Sequence, residues 1–576
     1  MCGRYPRTWI IAAMFCSAMS IRNYAAEQLM TPFEEISDAP TLADITAGDT
    51  MSPALQRLLT PAMIYEMFLK TDPYKKRKAS VRTWKASPTL STEERTFLKV
   101  RDTACNAAVA KILGQPIELK HTPRIAFLGS GGSIRASLFS AGGLKTLAEQ
   151  GLIDTFHYVG AVSGSSWVVL PWQVSGKPFD QFYPTYIDRV VYGLIPQTLT
   201  QGVANLLYFT DTIAATLLRT FAFLDIPSSI DIYGLFLGLS LLGDTAKLSY
   251  ADTTLPSLTA RVKDGQNPLP LCTAVIPSNK DMLLLDVVEC TPLEVIDYSS
   301  NTAVPAWACG RTFKNGISTN IHPSLTIGYL MGVCGSAFTA ITMKDLWPMI
   351  LAKLWPKELF APLTDLFEET KVGNLRVFPA HMRNFSYGMN GIPHQNDQFN
   401  LWVDAGISID IPIVPFLKHP ERNIDIYIIC DAGGDVKWSS VIEQSERYAR
   451  QYNYRFPHCN PGAASISTLS VFDDGPQSSA PIVIYLPMIK NERYNSSFDP
   501  QDMMYNNTPG NFLATENFIY TKQQAELLAG LSSFSMAEAQ DVIVDAIKAM
   551  VARKKNGIRP PSVYGNRVLR AACDQN

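Results

Sequence analysis

Residues 124–135 read Arg124-Ile-Ala-Phe-Leu-Gly-Ser-Gly-Gly-Ser-Ile-Arg135, a short apolar run that ends in a glycine-rich turn. An apolar run bounded by glycines is typical of a buried strand. A helical pattern follows from Ile134 to Glu149, and a second strand-like run, Phe156 to Val162, ends in another turn of small residues. This order of strand, turn, helix, strand and turn predicts an α/β fold with parallel strands at its centre.

Two later apolar runs end in an aspartate that small residues follow. They are Leu401-Trp-Val-Asp404-Ala-Gly406 and Ile424-Asp-Ile-Tyr-Ile-Ile-Cys-Asp431-Ala-Gly-Gly434. Helical patterns flank these runs, from Leu90 to Leu113 with Ser91 as a candidate N-cap, and from Lys522 to Lys555. We therefore predict a central mixed, largely parallel sheet flanked by helices, with one site assembled from turns that lie far apart in the chain.

The composition is that of a folded globular protein. Of 576 residues, 47% are hydrophobic and 18% are charged, which argues against disorder. The formal net charge of −2 offers no basic field for nucleic acid. The ten cysteines are spread singly without a Cys-x-x-Cys pair, which argues against a zinc site or redox motif and favours buried free thiols.

The N-terminal residues have the pattern of a targeting segment. Arg4 and Arg7 precede an apolar run from Trp9 to Met19, and small residues follow. This order predicts a secretory signal peptide over residues 1–26, with a buried helix as the alternative. We expect secretion if the segment is cleaved, and otherwise a cytoplasmic or peripheral membrane location. No later run predicts a membrane span, because the most apolar one, Val203 to Leu224, contains charged residues.

The second glycine-containing turn places a serine between a strand and a helix. It reads Gly160-Ala161-Val162-Ser163-Gly164-Ser165. A serine on such a tight turn projects its hydroxyl and leaves room for an attacked carbonyl, which makes Ser163 the candidate nucleophile. Ser165 and Ser166 are competing candidates, although we expect them to start the following helix.

The first turn, from Gly129 to Arg135, is suited to an anion. Glycines let the backbone turn its N–H groups toward a ligand, and N–H groups at a helix start stabilise a developing oxyanion. A nucleotide phosphate loop is the alternative, but the Lys-Ser/Thr pair is missing and the G-x-G-x-x-G spacing fails at Ile134. Arg135 is expected at the mouth of this site, where it would contact a phosphate or form a structural salt bridge.

A nucleophilic serine needs a base, and two aspartates have the same context. Asp404 and Asp431 each follow an apolar run and precede a glycine turn, so their pattern does not separate them. A Ser-His-Asp triad also stays open, because His419 and His458 follow Asp404 in that order along the chain.

As a set, these motifs resemble the catalytic domain of the cytosolic phospholipase A2 and phospholipase B family, with patatin-like lipases as more distant relatives. The likeness runs from about Leu90 to about Lys555. The segments that carry it are Gly129–Ala136, Tyr158–Trp167, Asp231–Gly238, Asn267–Leu271, Leu330–Phe338 and Asp404–Gly406 with Ile411-Pro and Pro420–Asp425 after it.

The resemblance implies a Ser–Asp dyad without histidine, in which Ser163 is the nucleophile and Asp404 the base. It implies that Gly132 and Ser133 supply the oxyanion N–H groups and that Arg135 binds the phosphate. Two departures accompany it. Ser133 stands where the family usually has a third glycine, and Gly160 and Ala161 are in swapped order relative to the usual serine turn.

The implied activity is that of a calcium-independent phospholipase A2 or lysophospholipase. Such an enzyme cleaves acyl esters of glycerophospholipids through an acyl-serine, works at the surface of a phospholipid membrane, and needs no metal and no cofactor. Residues 1–89 are too short and too poor in acidic ligand patterns to resemble the calcium-dependent membrane-docking β-sandwich of some family members. A catalytically inactive lipid-binding protein of the same fold, a phospholipid-dependent acyltransferase and a Ser-His-Asp esterase are the alternatives.

The expected organisation follows from the same resemblance. A helical and loop extension (27–89) precedes the catalytic domain (90–555), which includes a lid or cap region around 180–260, and a tail (556–576) ends the chain. The extension contains a basic cluster that we expect to be a solvated surface run, although it would also attract anionic lipid. The cluster consists of Lys75, Lys76, Arg77, Lys78, Arg82 and Lys85.

Overall fold

The computed structural model describes residues 72–558, except 86, 192–218, 220–224, 227, 243–249, 278–285, 341–378, 435, 437–439, 460–466 and 506–510. These residues belong to one compact unit, Phe68–Asn576. The predictions for the signal peptide, for most of the N-terminal extension and the C-terminal tail, and for most of the run from Val203 to Leu224 lie outside the described residues.

The strands are short and mostly buried. They are β1 (Arg82–Thr83), β2 (Ile125–Gly129), β3 (Phe156–Ala161), β4 (Leu269–Ile276), β5 (Asp286–Cys290), β6 (Glu294–Asp297), β7 (Thr302–Pro305), β8 (Phe313–Lys314), β9 (Ile317–Ser318), β10 (Ala380–Arg383), β11 (Phe399–Asp404), β12 (Ile426–Asp431), β13 (Ser470–Phe472) and β14 (Ile482–Pro487). Among the described residues, strands β8 and β9 pair with each other, and the others form one 12-stranded sheet. The N-terminal extension, predicted to form helices and loops, therefore also contributes a strand, β1.

The centre of the sheet is parallel and its flanks are antiparallel. Strands β14, β12, β2, β3 and β4 pair in parallel in that order. Strands β5, β6, β7 and β1 extend the sheet beyond β4 by antiparallel pairs, and β13 pairs antiparallel with β14. The mixed sheet with a parallel centre is confirmed, but "largely parallel" is wrong. The reason is that the short connections among β5, β6 and β7 can only reverse the chain direction.

The α-helices cover both faces of this sheet. In chain order they are α1 (Thr92–Leu113), α2 (Ser133–Glu149), α3 (Ser166–Ser175), α4 (Phe179–Val191), α5 (Ser229–Leu241), α6 (Thr259–Val262), α7 (Ile327–Cys334), α8 (Val414–Lys418), α9 (Ser440–Gln451), α10 (Pro500–Tyr505), α11 (Lys522–Glu538) and α12 (Gln540–Lys555). Ser91 caps α1, because its Oγ accepts a hydrogen bond from the N–H of Glu94 at 3.1 Å. The C-terminal periodic stretch forms two helices that meet at Ala539.

Alternating side chains of the central strands fill two separate cores. Ile125 and Phe127 of β2 belong to the core under α2 and α11, whereas Ala126 and Leu128 belong to the core under α8 and α9. Helix α2 approaches α11 without intervening side chains, because a Cβ added at Gly142 would lie 2.0 Å from the carbonyl oxygen of Ala529. The helix that carries the glycine-rich turn is thus fixed on the sheet.

Most of the cysteines and the basic cluster lie within the described residues. Seven cysteines are described, and all are buried and free, as expected. Lys75 to Lys78 form an exposed run, while Arg82 pairs with Glu294 at 2.6 Å. Among the described helices, none is both long enough and apolar enough to cross a bilayer.

Candidate active site

Strands β3 and β11 end at the same point of the sheet, although they arrive from opposite directions. Strand β3 runs parallel to β4 and places Ala161 beside Cys272. Strand β11 runs antiparallel to β4 and places Asp404 beside Ala274. The chain that leaves β3 reaches Ser163 two residues later, so it meets the end of β11. The pairing of both strands with β4 therefore brings together two residues that are far apart in sequence.

Ser163 and Asp404 form a buried hydrogen-bonded pair. Ser163 Oγ donates to Asp404 Oδ2 at 2.7 Å, and the two residues are only 7% and 1% exposed. Burial raises the pKa of Asp404 to about 6, although hydrogen bonds from Ser163, Gly406 and Ala337 oppose the shift. Asp404 is therefore suited to act as a base, because its pKa lies close to neutral pH and its carboxylate already accepts a hydrogen bond from the Ser163 hydroxyl.

The second carboxylate oxygen and the main chain of Asp404 are also held. Asp404 Oδ1 accepts a hydrogen bond from the N–H of Gly406 at 2.8 Å. Its own N–H donates to Ser336 Oγ at 3.1 Å. Only Oδ2 therefore faces the serine, and the carboxylate has one orientation.

The serine turn is strained and lies against the glycine-rich turn. Ser163 has φ of 48°, in the left-handed region that L-residues rarely adopt. A Cβ added at Gly164 would lie 1.9 Å from the carbonyl oxygen of Ser133. The two turns are thus in direct backbone contact, and a glycine is required at position 164.

The glycine-rich turn opens α2. Gly132 has φ of 126° and Ser133 has φ of 60°, so Ser133 is held in the left-handed region that favours glycine. Among the described residues, none accepts a hydrogen bond from the N–H of Gly132 or Ser133, or partners Ser133 Oγ. Unpaired N–H groups at a helix N-terminus suit an anion. The structure therefore places both predicted oxyanion donors next to the Ser163 turn.

Arg135 lies beneath the glycine-rich turn rather than at an open mouth. It is 4% exposed, its Nε donates to the carbonyl of Ala432 at 2.9 Å, and its Nη1 donates to the carbonyl of Leu513. A Cβ added at Gly132 would lie 2.7 Å from Nη2. No described carboxylate forms a salt bridge with Arg135, so the structural salt bridge considered from sequence is not found among them. The positive charge points toward the turn.

The competing bases lie elsewhere. Asp431 accepts hydrogen bonds from the hydroxyl of Tyr485 at 2.7 Å and from the N–H of Gly433 at 2.8 Å. His419 is fully buried against the ring of Tyr298, and neither of its ring nitrogens has a partner among the described residues. His458 is exposed, and its Nδ1 lies 2.8 Å from Glu446. The structure brings none of these three side chains to Ser163.

Ser165 connects the two turns, and Ser166 holds the serine turn itself. Ser165 Oγ donates to the carbonyl of Ser130 at 2.5 Å and lies 2.8 Å from Ser140 Oγ. Helix α3 begins at Ser166 with Ser165 at the N-cap position, so both serines start this helix as expected, although the Ser165 side chain makes no capping hydrogen bond. Ser166 Oγ donates to the carbonyl of Ser163 at 2.5 Å. Both hydroxyls are thus engaged in holding the turn.

Two polar residues of the site were missed in the sequence. Ser336 contacts Asp404, as described above. Asp410 holds Gly131, because the Gly131 N–H donates to the main-chain carbonyl oxygen and to Oδ1 of Asp410, both at 3.1 Å. Ser336 lies within the framework stretch Leu330–Phe338, which was noted only as a resemblance. Asp410 follows Asp404 by six residues in an isoleucine-rich stretch, where nothing in the local pattern indicates a site.

Aromatic side chains adjoin the dyad. The Trp167 ring lies against Gly335, the residue before Ser336, since a Cβ added there would be 2.3 Å from the ring. Tyr233 of α5 contacts this ring edge-on with centroids 6.2 Å apart, and it also contacts Phe338 at 4.9 Å. These rings form an apolar wall next to the segment that holds Asp404.

A strained serine turn at a sheet edge, a hydrogen-bonded carboxylate and open N–H groups at a helix start are together suited to nucleophilic attack by the serine. The model of the lysophospholipase catalytic domain matches residues 125–469, more than half of the chain. The chain therefore belongs to the lysophospholipase catalytic domain family.

Its curated relatives are distant. The chain is 22% identical to cytosolic phospholipase A2 zeta of Mus musculus, over 80% of this chain and 62% of that protein. It is 23% identical to cytosolic phospholipase A2 delta of Mus musculus, over 94% of this chain and 71% of that protein. The chain thus spans less than two thirds of the zeta relative's length.

Solved structures support the fold. The chain is similar to human GIVD cytosolic phospholipase A2 with a TM-score of 0.67 and 18% identity, over 82% of this chain and 69% of that chain. The same human protein in complex with methyl gamma-linolenyl fluorophosphonate gives a TM-score of 0.62 and 20% identity, over 81% and 65% of the two chains. At these identities the likeness shows the α/β fold, with its central mixed sheet flanked by helices.

Proposed function

We propose that this protein is a calcium-independent lipid acyl hydrolase, a phospholipase A2 or lysophospholipase, that acts on glycerophospholipids through an acyl-serine. The observation that carries the proposal is the buried hydrogen bond of 2.7 Å from Ser163 Oγ to Asp404 Oδ2. Family membership supports the class of reaction, while the choice of lipid rests on the site.

In the first step, Asp404 takes the proton of Ser163 as Oγ attacks the ester carbonyl carbon. The carbonyl oxygen becomes an oxyanion, which accepts hydrogen bonds from the N–H groups of Gly132 and Ser133. When the tetrahedral intermediate collapses, the ester C–O bond breaks, and the leaving alkoxide takes the proton back from Asp404. An acyl-serine and a lyso-lipid result.

In the second step, water replaces the alcohol. Asp404 removes a proton from water, the hydroxide adds to the acyl carbonyl, and the fatty acid leaves as Ser163 Oγ regains the proton. The same carboxylate thus serves both steps, and no metal or cofactor enters the scheme. An alcohol acceptor in place of water would make the same site an acyltransferase.

Arg135 is proposed to stabilise the lipid phosphate. Its Nη2 lies under Gly132 without an acceptor among the described residues, and its neighbouring nitrogens are anchored by main-chain carbonyls. A guanidinium held in this way keeps its charge at a fixed place, which favours a phosphate oxygen over a mobile counterion.

The lipid chain and the membrane are assigned to apolar surfaces near the dyad. Trp167, Tyr233 and Phe338 offer a wall for an acyl chain. Exposed Tyr505 and Ile519 flank the segment that holds Arg135, and we propose that they touch the surface of a phospholipid membrane.

We also propose a lid in the 180–260 region, but not in α5, because Gly234 of α5 lies too close to the Tyr329 backbone of α7 to leave room for a side chain.

The test is fatty-acid release from mixed phospholipid vesicles and from lyso-lipid, at pH 7 with a calcium chelator. Ser163→Ala and Asp404→Asn should each lower the rate at least 10³-fold. Asp431→Asn is the matched control, because it changes an aspartate in the same strand–Asp–Ala–Gly context, and it should keep at least about a tenth of the activity.

The outcomes separate the alternatives. A wild type without release but with acyl transfer to an added alcohol would be an acyltransferase. A wild type that binds vesicles without either reaction, and that the fluorophosphonate seen on the human relative does not label at Ser163, would be a lipid-binding protein. Loss of activity in His419→Gln or His458→Gln at normal folding would contradict the dyad.

A further inference from the structure

A second carboxylate lies beside the dyad, and the two-step scheme does not use it. The Gly131 N–H donates hydrogen bonds to the main-chain carbonyl oxygen of Asp410 and to its side-chain Oδ1, both at 3.1 Å. A Cβ added at Gly131 would lie 2.2 Å from Asp410 Oδ1 and 3.1 Å from Ser163 Cβ. The carboxylate is therefore within about 5 Å of the nucleophilic residue, near enough for a charge to act on it.

Asp410 also lies near the proposed base. A Cβ added at Gly406 would lie 2.9 Å from Asp410 Oδ1 and 3.1 Å from Asp404 Oδ1. The two carboxylates are thus separated by about 6 Å or less, a range in which like charges disfavour each other.

The charged groups around Asp410 come from each element that meets there. Asp404 ends β11, Asp431 ends β12, and Arg135 lies on α2, while the Gly131 turn adds an N–H donor. Burial and the two neighbouring carboxylates raise the pKa of Asp410 well above its ordinary value, and Arg135 opposes the shift. Two negative neighbours against one cation disfavour the ionised form of Asp410, the more so once Asp404 carries a charge.

The charge of Asp410 matters because of where the reaction places new charge. The oxyanion forms on an atom bonded to the carbon that Ser163 Oγ attacks, next to the turn that Asp410 holds. A neutral carboxyl there leaves the oxyanion stabilised by the open N–H groups, whereas a carboxylate repels it. The hydrogen bond to Gly131 is possible in both states, because Oδ1 is an acceptor in both.

We propose that Asp410 is a positioning residue of the catalytic site, which holds the oxyanion turn through Gly131 and slows acylation of Ser163 when it ionises. This inference rests on the proposed function. It assigns a role to a residue that neither supplies the nucleophile nor accepts its proton, and it predicts a rate that falls at alkaline pH.

The experiment measures the rate at which methyl gamma-linolenyl fluorophosphonate labels Ser163, from pH 4.5 to 9.5, by intact-protein mass. In the wild type, the rate should rise through about pH 6 as Asp404 ionises, and then fall about tenfold or more as Asp410 ionises. Asp410→Asn keeps an acceptor for Gly131 but carries no charge, so it should keep the rise and lose the fall.

Two further variants sharpen the result. Asp431→Asn removes a charge that hinders ionisation of Asp410, so its fall should come at lower pH than in the wild type. Asp410→Ala removes the charge and the side-chain acceptor Oδ1 and leaves the Gly131 N–H only the main-chain carbonyl at position 410, so its rate should be lower at every pH without an alkaline fall. An alkaline fall that is unchanged in Asp410→Asn, or a wild type without such a fall, would overturn the proposal.

A second readout does not need catalysis. Because the pKa of Asp410 is raised in the folded protein, the wild type loses stability as pH rises through that value. The melting temperature of Asp410→Asn should therefore be close to that of the wild type below the ordinary aspartate pKa of 3.8 and exceed it at pH 9. A constant difference would refute the ionisation itself. If Ser163 is labelled at no pH while the difference in melting temperature still depends on pH, the proposed function is wrong and the ionisation of Asp410 is supported.

Discussion

Replacing Gly164 by alanine should move the proposed nucleophile, Ser163, away from the proposed oxyanion donors, Gly132 and Ser133, without changing any of these three residues. The added Cβ would lie 1.9 Å from the carbonyl oxygen of Ser133, and real Cβ contacts are not closer than 3.0 Å. The two turns must therefore move apart by about 1 Å. A misplacement of about 1 Å costs on the order of 10²-fold in rate, about 2.7 kcal/mol of transition-state stabilisation. Overpacking should also lower the free energy of unfolding by about 1–3 kcal/mol.

The assay is kcat/KM for fatty-acid release, together with urea unfolding to give the folded fraction. Gly434→Ala is the matched control, because nothing lies within 4 Å of a Cβ at that position and its φ lies outside the left-handed region. Activity of Gly164→Ala within about twofold of Gly434→Ala, at equal folded fraction, would refute the idea that this contact sets the distance between serine and oxyanion site.

Three further predictions concern stability. Asp404→Asn should be as stable as the wild type near pH 4 and more stable at pH 8 by up to about 3 kcal/mol. The reason is that the pKa of Asp404 is raised from 3.8 to about 6, so the wild type loses stability as pH rises through this range. Urea unfolding at both pH values measures this difference. Ser133→Gly should raise the free energy of unfolding by about 1 kcal/mol by relieving the left-handed φ of 60°, with activity retained because the N–H stays; a tenfold loss would instead give the Ser133 side chain a role. Arg422→Met should lower the free energy of unfolding by about 3–5 kcal/mol, because it removes the ion-pair partner of the buried carboxylates of Glu94 and Glu289. A loss under about 1 kcal/mol in urea unfolding would contradict this prediction.

Local signals predicted the elements around the site. The apolar run before Gly129 is β2, the helical pattern after it is α2, and the run that ends near Ser163 is β3. Each of these has a periodicity and a breaker that are visible within about ten residues, which is the range over which propensity and turn chemistry act.

Sheet order could not be read in the same way. Asp404 and Asp431 have the same local context, and only pairing separates them: β12 lies beyond β2, whereas β11 meets the end of β3 on β4. That pairing joins segments more than a hundred residues apart and depends on how the whole sheet is covered by helices. Asp410 was missed for the same reason, since its contact with Gly131 spans 279 positions of the chain.

The site concentrates features that oppose folding. Ser163 and Ser133 have left-handed backbones, Asp404 is a buried carboxyl with a raised pKa, and Ser133 Oγ is buried without a described partner. Each such feature costs on the order of 1–3 kcal/mol and persists only where the surroundings leave no alternative. In this site the turns are held by close backbone contacts at two glycines: Gly142 lies against Ala529, and Gly164 lies against Ser133. These contacts prevent the turns from relaxing. Asp404→Asn should therefore gain stability and lose activity together, and Ser133→Gly should gain stability while it keeps the N–H group and the activity. Substitutions at the glycine contacts should lose both stability and activity.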